Sequence, residues 1–306
     1  MTRRELMTGV LALPALTAAT AVARPKGLVI ESHVHLFAAD VKRFPLSPGA
    51  PYQPQPLTVE EYGRFAMAAG ISHAVIVQPE PYQDDHRYLE YCFTKEPAPD
   101  FFKGTCLFDP VSPQTPDRIS ALAGLNPGRI VALRIHEVRK PGTPPLRSGP
   151  VGPQNPIKDR DMRSPAMKAT WKRVQQLKLA IQMHFLPYYA PQIFELASQF
   201  PAVPVILDHL GRAGEGTPAE FAGVLRLARL PRVYMKYSGP FASDKKIARR
   251  AFDAFGPDRM LWGYFGHDLP GYAKEAAQLD AIFDYASEAD REKIRGGTAR
   301  ELFRFT

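Results

Sequence analysis

Cysteine is scarce in this chain of 306 residues, which contains only Cys92 and Cys106. Two cysteines cannot form the framework of several bridges that stabilises small secreted folds. Cys106 lies within an apolar run, so we predict a buried thiol without a disulfide partner. A single bridge between the two cysteines stays open as the alternative if the protein is exported.

Long apolar runs are also missing beyond the amino terminus, where no stretch approaches the ~18 consecutive apolar residues of a membrane span. Acidic residues are outnumbered, with 31 Asp and Glu against 39 Lys and Arg, for a formal net charge of +8. The excess is spread along the chain, without an arginine-rich arm or an alternation of aromatic and basic residues. This pattern argues against nucleic acid as a partner and favours a small anionic substrate.

The amino terminus has the pattern of an export signal. Arg3-Arg4 precedes a moderately apolar stretch from Leu6 to Val22, which ends in Ala21-Val22-Ala23. Paired arginines, a weakly hydrophobic segment and a small-x-small end resemble a twin-arginine signal with its cleavage site. We therefore expect residues 1–23 to be removed and residues 24–306 to form one periplasmic domain, without membrane contact after cleavage. An uncleaved anchor is the alternative.

From Lys26 onward, short apolar runs alternate with stretches of helical periodicity. Eight runs predict strands: Leu28–Ser32, His73–Val77, Phe102–Phe108, Ile130–Ile135, Ala180–Met183, Val203–Leu207, Val233–Tyr237 and Met260–Trp262. Eight strand–helix units of about 35 residues each predict an α/β fold, a single (β/α)8 TIM barrel. A doubly wound open sheet is the alternative, disfavoured because no glycine-rich phosphate loop follows any strand.

Helix starts are marked by their capping residues. Thr58 and Thr217 are each followed three residues later by Glu, which predicts a capping box at both positions. Ser164 precedes a proline and opens a third predicted helix, whereas Gly70 ends the first.

Two long connections follow predicted strands, Phe37–Leu57 after strand one and Glu137–Arg163 after strand four. In a barrel both lie on the carboxyl face of the sheet, where active sites are built. We expect them to shape the site, with contacts between subunits as the alternative.

Histidines and one aspartate stand at the ends of four predicted strands. His33 and His35 end the first strand, two residues apart, so their side chains point to the same side. His184 ends the fifth strand, His209 follows the sixth and Asp268 follows the eighth. Because the carboxyl ends of barrel strands meet at one mouth, we expect these five side chains to face a common site.

Neutral imidazoles and a carboxylate are ligands of a catalytic divalent cation such as zinc. Without a metal, the same groups can hydrogen-bond a carbonyl oxygen while the carboxylate takes a proton from water. The sequence leaves one zinc ion or no metal open. If a metal is bound, the expected ligands are His33, His35, His184 and Asp268.

The sequence resembles the amidohydrolase-related TIM-barrel hydrolases (amidohydrolase family 2), in particular the branch of 2-pyrone-4,6-dicarboxylate lactonase and the sugar-lactone lactonases. The resemblance runs from Gly27 to Phe303. Its carriers are Ser32-His33-Val34-His35, Leu133-Arg134-Ile135, Gln182-Met183-His184, Asp208-His209-Leu210-Gly211-Arg212, Lys236-Tyr237-Ser238-Gly239-Pro240, Gly266-His267-Asp268-Leu269-Pro270 and Thr298-Ala299-Arg300-Glu301-Leu302-Phe303.

This resemblance implies the catalytic roles. His33, His35 and His184 would polarise the scissile carbonyl, and Asp268 would be the general base that activates water. The family runs Trp-Gly-Ser-Asp directly off strand eight, whereas here Tyr264-Phe265 stands between Gly263 and the Gly-His-Asp segment.

The resemblance also implies that Arg134 and Arg212 hold a substrate carboxylate through bidentate hydrogen bonds. His209 and Tyr52 are further candidates for substrate contact. Three other histidines are expected to have no chemical role: His73, His86 and His136.

We therefore expect an exported hydrolase that opens a carboxylated lactone. Asp-activated water would attack a carbonyl that the histidine cluster polarises. A zinc-dependent decarboxylase or C–C hydrolase of the same superfamily is the first alternative. A periplasmic binding barrel without catalysis is the second.

Overall fold

The computed structural model describes residues 27–48, 50–141, 160–239 and 241–306. The expected export signal, residues 1–23, lies outside the described residues, as does the middle of the long connection after strand four. In the described part of the chain, no helix combines the length and apolar character needed to cross a bilayer.

Eight parallel strands form one sheet whose spatial order follows the sequence from the first strand to the eighth. The strands are β1 Ile30–Val34, β2 His73–Val77, β3 Phe102–Leu107, β4 Ile130–Glu137, β5 Ala180–Phe185, β6 Val205–Leu207, β7 Val233–Tyr237 and β8 Met260–Trp262. The first and last strands approach each other, and the Ser32 hydroxyl donates to the Trp262 carbonyl. The predicted (β/α)8 barrel is therefore confirmed, with all eight strands at or near their predicted positions.

Helices follow the strands and pack outside the sheet. They are α1 Val59–Ala69, α2 Arg87–Phe93, α3 Thr115–Leu125, α4 Pro165–Gln176, α5 Ala190–Gln199, α6 Pro218–Arg226, α7 Lys245–Phe255, α8 Leu269–Ile282, α9 Glu288–Glu292 and α10 Thr298–Phe303. Both predicted capping boxes are present, at Thr58 and Thr217, and the Ser164 side chain caps α4. Gly70 ends α1 in the left-handed conformation, at φ 76°.

The interior of the barrel is apolar at one end and polar at the other. Side chains from six strands pack with the carboxyl-terminal segment in an apolar layer near the amino ends of the strands: Ile30, Val75, Ala132, Ala180, Ile206 and Leu261 with Ala299, Phe303 and Phe305. A second, larger apolar layer, which includes Trp171 of α4 and Ile193 of α5, lies between the sheet and the helices. Because the lower end is filled, the carboxyl ends of the strands are where the barrel interior can hold polar groups.

The long connection after β1 is tied off at its base, where Phe37 and Leu57 exchange two backbone hydrogen bonds of 2.9 and 3.0 Å. In the connection after β4, Arg160 pairs with Glu137 at 3.0 Å. Cys92 and Cys106 are both buried and unbonded, as predicted, so the alternative of a bridge is not realised.

Candidate active site

A cavity of about 840 Å³ opens at the carboxyl ends of the strands. Six of the eight side chains singled out from the sequence line it: His35, Tyr52, Arg134, His184, His209 and Arg212. His33 lies fully buried directly beneath, with its ring 4.9 Å from both the His35 and the His209 rings. Of the five side chains predicted to converge from strand ends, four therefore lie together: His33, His35, His184 and His209.

The two histidines of β1 meet through their ring nitrogens, with 3.3 Å between His33 Nε2 and His35 Nε2. His35 Nδ1 lies 2.7 Å from the Val77 carbonyl oxygen, which can only accept a hydrogen bond. His35 therefore carries its proton on Nδ1 and leaves Nε2 as a lone pair.

Lys236 and Asp208 both approach the lower nitrogen of His33. The Lys236 ammonium group donates to the Ser32 carbonyl at 2.9 Å and lies 3.3 Å from His33 Nδ1. The Asp208 carboxylate lies 3.6 Å from the same nitrogen. His33 is therefore held between a buried cation and a buried carboxylate.

Asp208, directly after β6, is the counter-ion of this buried layer. Its carboxylate accepts from Arg134 Nε at 3.1 Å and from Gln182 Nε2 at 2.9 Å, and Arg134 Nη2 lies 3.0 Å away in an ion pair. Lys236 Nζ lies 3.4 Å from the same carboxylate. Burial alone would raise the pKa of Asp208, but Lys236 and Arg134 outweigh it and hold the pKa well below its usual range.

The cavity histidines are uncharged at neutral pH. Burial, followed by the charge of Arg134, lowers the pKa of His35 to about 4. Burial likewise lowers the pKa of His209 to about 3 and the pKa of His184 well below its usual range. These rings can therefore accept or donate protons as neutral imidazoles.

A left-handed turn carries His209 and Arg212 into the cavity. Four successive residues have positive φ: His209 54°, Leu210 52°, Gly211 61° and Arg212 51°. Each of the three residues with a side chain is strained there by roughly 1–2 kcal/mol. The turn is anchored by full burial of Leu210 and by a 2.9 Å hydrogen bond from Gly211 N to the Asp208 carbonyl. Strain of this kind concentrates at sites whose geometry matters for function.

A second polar group lies on the β4 side of the mouth. His136 Nδ1 is 3.1 Å from Glu80 Oε1 and 3.2 Å from His184 Nδ1. Arg212 donates to the other nitrogen of His184 and to the Glu215 carboxylate. His136 was expected to have no chemical role, yet it lies between two residues that line the cavity.

Asp268 does not join the cavity, contrary to the sequence expectation. Its side chain is exposed and caps α8, accepting from Gly271 N at 2.7 Å and from the Tyr264 hydroxyl at 3.1 Å. The physical reason is the two-residue interruption after Gly263, which carries the chain out of the barrel mouth before Asp268 is reached.

Phe265 is the fourth residue of the Trp-Gly-x-x segment, where the resembled family has its aspartate. Its ring centroid lies 4.3 Å from that of His33, 5.0 Å from His209 and 6.2 Å from His35. Its φ of 72° is unusual for a residue with a side chain. An apolar ring therefore covers the histidines at the point where a carboxylate was expected.

Glu31 supports this arrangement from β1. One carboxylate oxygen accepts from His33 N and the other from Tyr264 N, both at 2.7 Å. Burial raises its pKa to about 7, although these two hydrogen bonds favour the charged form. A side chain at Gly263 would bring Cβ within 3.0 Å of His33 Cβ and 3.2 Å of Glu31 Oε1, so glycine permits the close approach of β8.

The metal ligands expected from the sequence do not all meet. Asp268, one of the four, is exposed and caps the start of α8. Among the described residues, ligand atoms converge within 4.8 Å in two other groups: His33, Asp208 and His209, and Glu80, His136 and His184. Lys236 and Arg134 already neutralise the carboxylate of the first group.

The sequence assigned no functional role to four residues of this site: Asp208, Lys236, Glu80 and His136. Asp208 and Lys236 stand in segments that were noted for the resemblance, and the rule that selected His209 applies equally to its neighbour. Glu80 lies on a helical turn after β2, Glu80–Tyr82, where no pattern in the sequence distinguishes it from a surface acid.

Known proteins are similar to this chain in family and in sequence. A family profile described as amidohydrolase matches residues 30–305. An uncharacterised protein of Sinorhizobium fredii is 28% identical over 134 residues, which cover 40% of this chain and 43% of that protein.

Solved structures share the fold at low identity. A probable 2-pyrone-4,6-dicarboxylic acid hydrolase of Acinetobacter baumannii, with citric acid bound, superposes with a TM-score of 0.70 at 19% identity, covering 90% of this chain and 99% of that one. An amidohydrolase of Burkholderia multivorans with bound zinc gives 0.67 at 18% identity, with coverage of 92% and 100%. A dihydroxybenzoic acid decarboxylase of Polaromonas with bound manganese gives 0.61 at 16% identity, with coverage of 91% and 97%.

Proposed function

This chain belongs to the amidohydrolase family, and from that premise we propose that it hydrolyses a small cyclic ester that carries a carboxylate. The observation that carries the proposal is the meeting of uncharged imidazoles and guanidinium groups in one cavity. Guanidinium groups bind carboxylates in a planar, two-pronged geometry, and neutral imidazoles accept and return protons. The citrate held by the Acinetobacter relative is itself a small polycarboxylate, which supports an anionic substrate.

The substrate carboxylate would bind to Arg212, whose guanidinium lies at the cavity wall between His184 and Glu215. His184 acts here as a positioning residue, because its Nε2 lone pair orients the guanidinium. Arg134 spends donors at Nε and Nη2 on Asp208 and retains N–H groups for a developing oxyanion. A positioned donor of this kind stabilises an acyl-transfer transition state by roughly 3–4 kcal/mol.

His35 has the lone pair needed to take a proton from the attacking water. Its Nδ1–H is anchored on Val77, and its pKa of about 4 leaves Nε2 unprotonated at neutral pH. Water would add to the ring carbonyl while His35 accepts its proton. The C–O bond of the ring then breaks, and the imidazolium returns the proton to the departing oxygen. Asp268 has no part in this scheme, because it caps α8.

The test is a panel of lactones with and without a carboxylate, assayed by acid release. We expect turnover of carboxylated members, and we expect Arg212→Met to lower kcat/KM for them roughly 10- to 100-fold, the value of hydrogen bonds to a charged group. Activity on uncharged lactones should change little. Arg163→Met is the matched control, since Arg163 pairs with Glu195 on the exposed surface. Binding of carboxylated lactones without turnover of any of them would instead indicate a non-catalytic barrel.

A second candidate is decarboxylation of a small carboxylic acid, which is supported by the shared fold of the Polaromonas decarboxylase. This reaction breaks a C–C bond. It would appear as release of CO₂ without consumption of lactone.

We also propose that residues 1–23 direct export to the periplasm. Amino-terminal sequencing of protein from the periplasmic fraction should then begin at Arg24. Replacing Arg3-Arg4 with lysines should retain the uncleaved chain in the cytoplasm.

A further inference from the structure

Three side chains bring one ligand atom each to a common point beside the cavity. His136 of β4 and His184 of β5 are paired positions of adjacent strands, and Glu80 approaches from the turn after β2. Their ligand atoms lie within 4.8 Å of one another, with His136 Nδ1 3.1 Å from Glu80 Oε1 and 3.2 Å from His184 Nδ1. All three residues are buried, with exposed fractions of 0–8%.

The two contacts of His136 Nδ1 compete for one ring nitrogen. Arg212 donates to His184 Nε2, so His184 carries its proton on Nδ1 and donates to His136 Nδ1. If His136 instead donates to Glu80, the Nδ1 proton of His184 faces another donor. A divalent cation among the three ligand atoms would replace these competing contacts with metal–ligand bonds, once the proton of His184 has moved to Nε2.

The separations between His136 Nδ1 and its two neighbouring ligand atoms match the spacing of ligands around zinc. Two bonds of 2.0–2.1 Å at a tetrahedral angle place ligand atoms roughly 3.3 Å apart, close to the 3.1 and 3.2 Å found here. Two imidazole nitrogens and one carboxylate oxygen also form a ligand set typical of catalytic zinc, with one position left for water or substrate.

We propose that Glu80, His136 and His184 bind one divalent cation of zinc type through Oε1, Nδ1 and Nδ1. This site shares His184 with the ligand set expected from the sequence and replaces His33, His35 and Asp268 with Glu80 and His136. It does not depend on the proposed lactone chemistry, because metal binding can be measured without a substrate.

Occupation of the site has a consequence for Arg212. A metal on His184 Nδ1 leaves the ring proton on Nε2, where it opposes the guanidinium. Arg212 then gives up its contact with His184 and keeps its contact with Glu215. The cation would therefore release donor groups of Arg212 toward the cavity.

The experiment is a zinc titration of the chelator-stripped mature chain by calorimetry, with Co²⁺ absorption as a second readout on the same protein. We expect one Zn²⁺ per chain, release of protons on binding, and the intense visible bands of tetrahedral Co²⁺. Glu80→Gln and His136→Gln should each lower the affinity for zinc at least 100-fold. His35→Gln should leave zinc affinity within threefold of the wild-type value, since His35 contacts His33 and is not one of the three proposed ligands.

Two results would overturn the proposal. One is the absence of stoichiometric zinc and cobalt binding by the wild-type chain. The other is loss of zinc in His35→Gln with retention in His136→Gln, which would place the metal on β1. Glu80→Gln preserves side-chain shape, and circular dichroism identifies any variant that fails to fold. A lack of turnover of the lactones would not alter what either metal-binding result means.

Discussion

Asp208→Asn should be among the most destabilising single substitutions in the barrel, although it changes one atom. The carboxylate is fully buried and is the counter-ion of both Arg134 and Lys236, which are 2% and 0% exposed. An amide retains the shape of Asp208 and removes its charge. Two buried cations then face each other without compensation.

The magnitude follows from the cost of leaving a buried charge unpaired. Removal of one partner from a buried ion pair costs about 3–5 kcal/mol, a large share of the ~5–15 kcal/mol by which a folded protein is stable. We therefore expect Asp208→Asn to lower the free energy of unfolding by about 4 kcal/mol. Lys236→Met should cost less, because Asp208 keeps its hydrogen bond and ion pair with Arg134.

Urea denaturation of the two single variants and the double variant forms a cycle that tests this reasoning. The double variant leaves one unpaired cation instead of two, so its loss should be smaller than the sum of the single losses by at least ~1 kcal/mol. Additive losses within ~0.5 kcal/mol would refute the idea that Asp208 and Lys236 act as one charge network.

The remaining predictions concern pH and backbone strain. The pKa of Glu31 is about 7 in the fold against a usual 4.5, so its contribution to stability is greatest below pH 4.5 and falls by about 3 kcal/mol as pH rises from 4.5 to 7. Urea denaturation at pH 5 and pH 8 should show this decrease in the free energy of unfolding for the wild type and little of it for Glu31→Gln. An equal decrease in both proteins would contradict the assignment of this pH dependence to Glu31. Gly211→Ala should cost roughly 2–5 kcal/mol, from its positive φ together with contact between the new Cβ and Val224, whose Cγ1 would lie 2.5 Å away. Gly128→Ala, also at positive φ but with open space around it, is the control and should cost only about 1 kcal/mol; equal losses would mean that packing at Gly211 does not matter.

The barrel could be predicted from sequence because each of its signals is local. Apolar runs, the capping boxes at Thr58 and Thr217 and the spacing of His33 and His35 depend on neighbours within a few residues. Strand ends converge in any closed barrel, so the placement of His184 and Arg134 followed once the strands were assigned.

Charge partners and tautomers could not be predicted, because they depend on contacts between distant segments. Lys236 and His33 are 203 residues apart in the sequence, and only the fold brings their nitrogens to 3.3 Å. Glu80 and His136 were passed over for the same reason, since each gains its chemical context only from the other.

The case of Asp268 shows how a short interruption redistributes chemistry around a barrel. Tyr264 and Phe265 follow Gly263 directly, so the ring of Phe265 lies against His33 and the next carboxylate is carried out to cap α8. An apolar ring cannot bind a cation as a carboxylate does, and it lowers the polarity around the imidazoles of β1. The proposed metal site takes its carboxylate from Glu80 instead, which is buried and lies 3.1 Å from His136 Nδ1. If the histidines of β1 held the metal, His35→Gln would abolish its binding. In the proposed site, His136→Gln does so and His35→Gln does not.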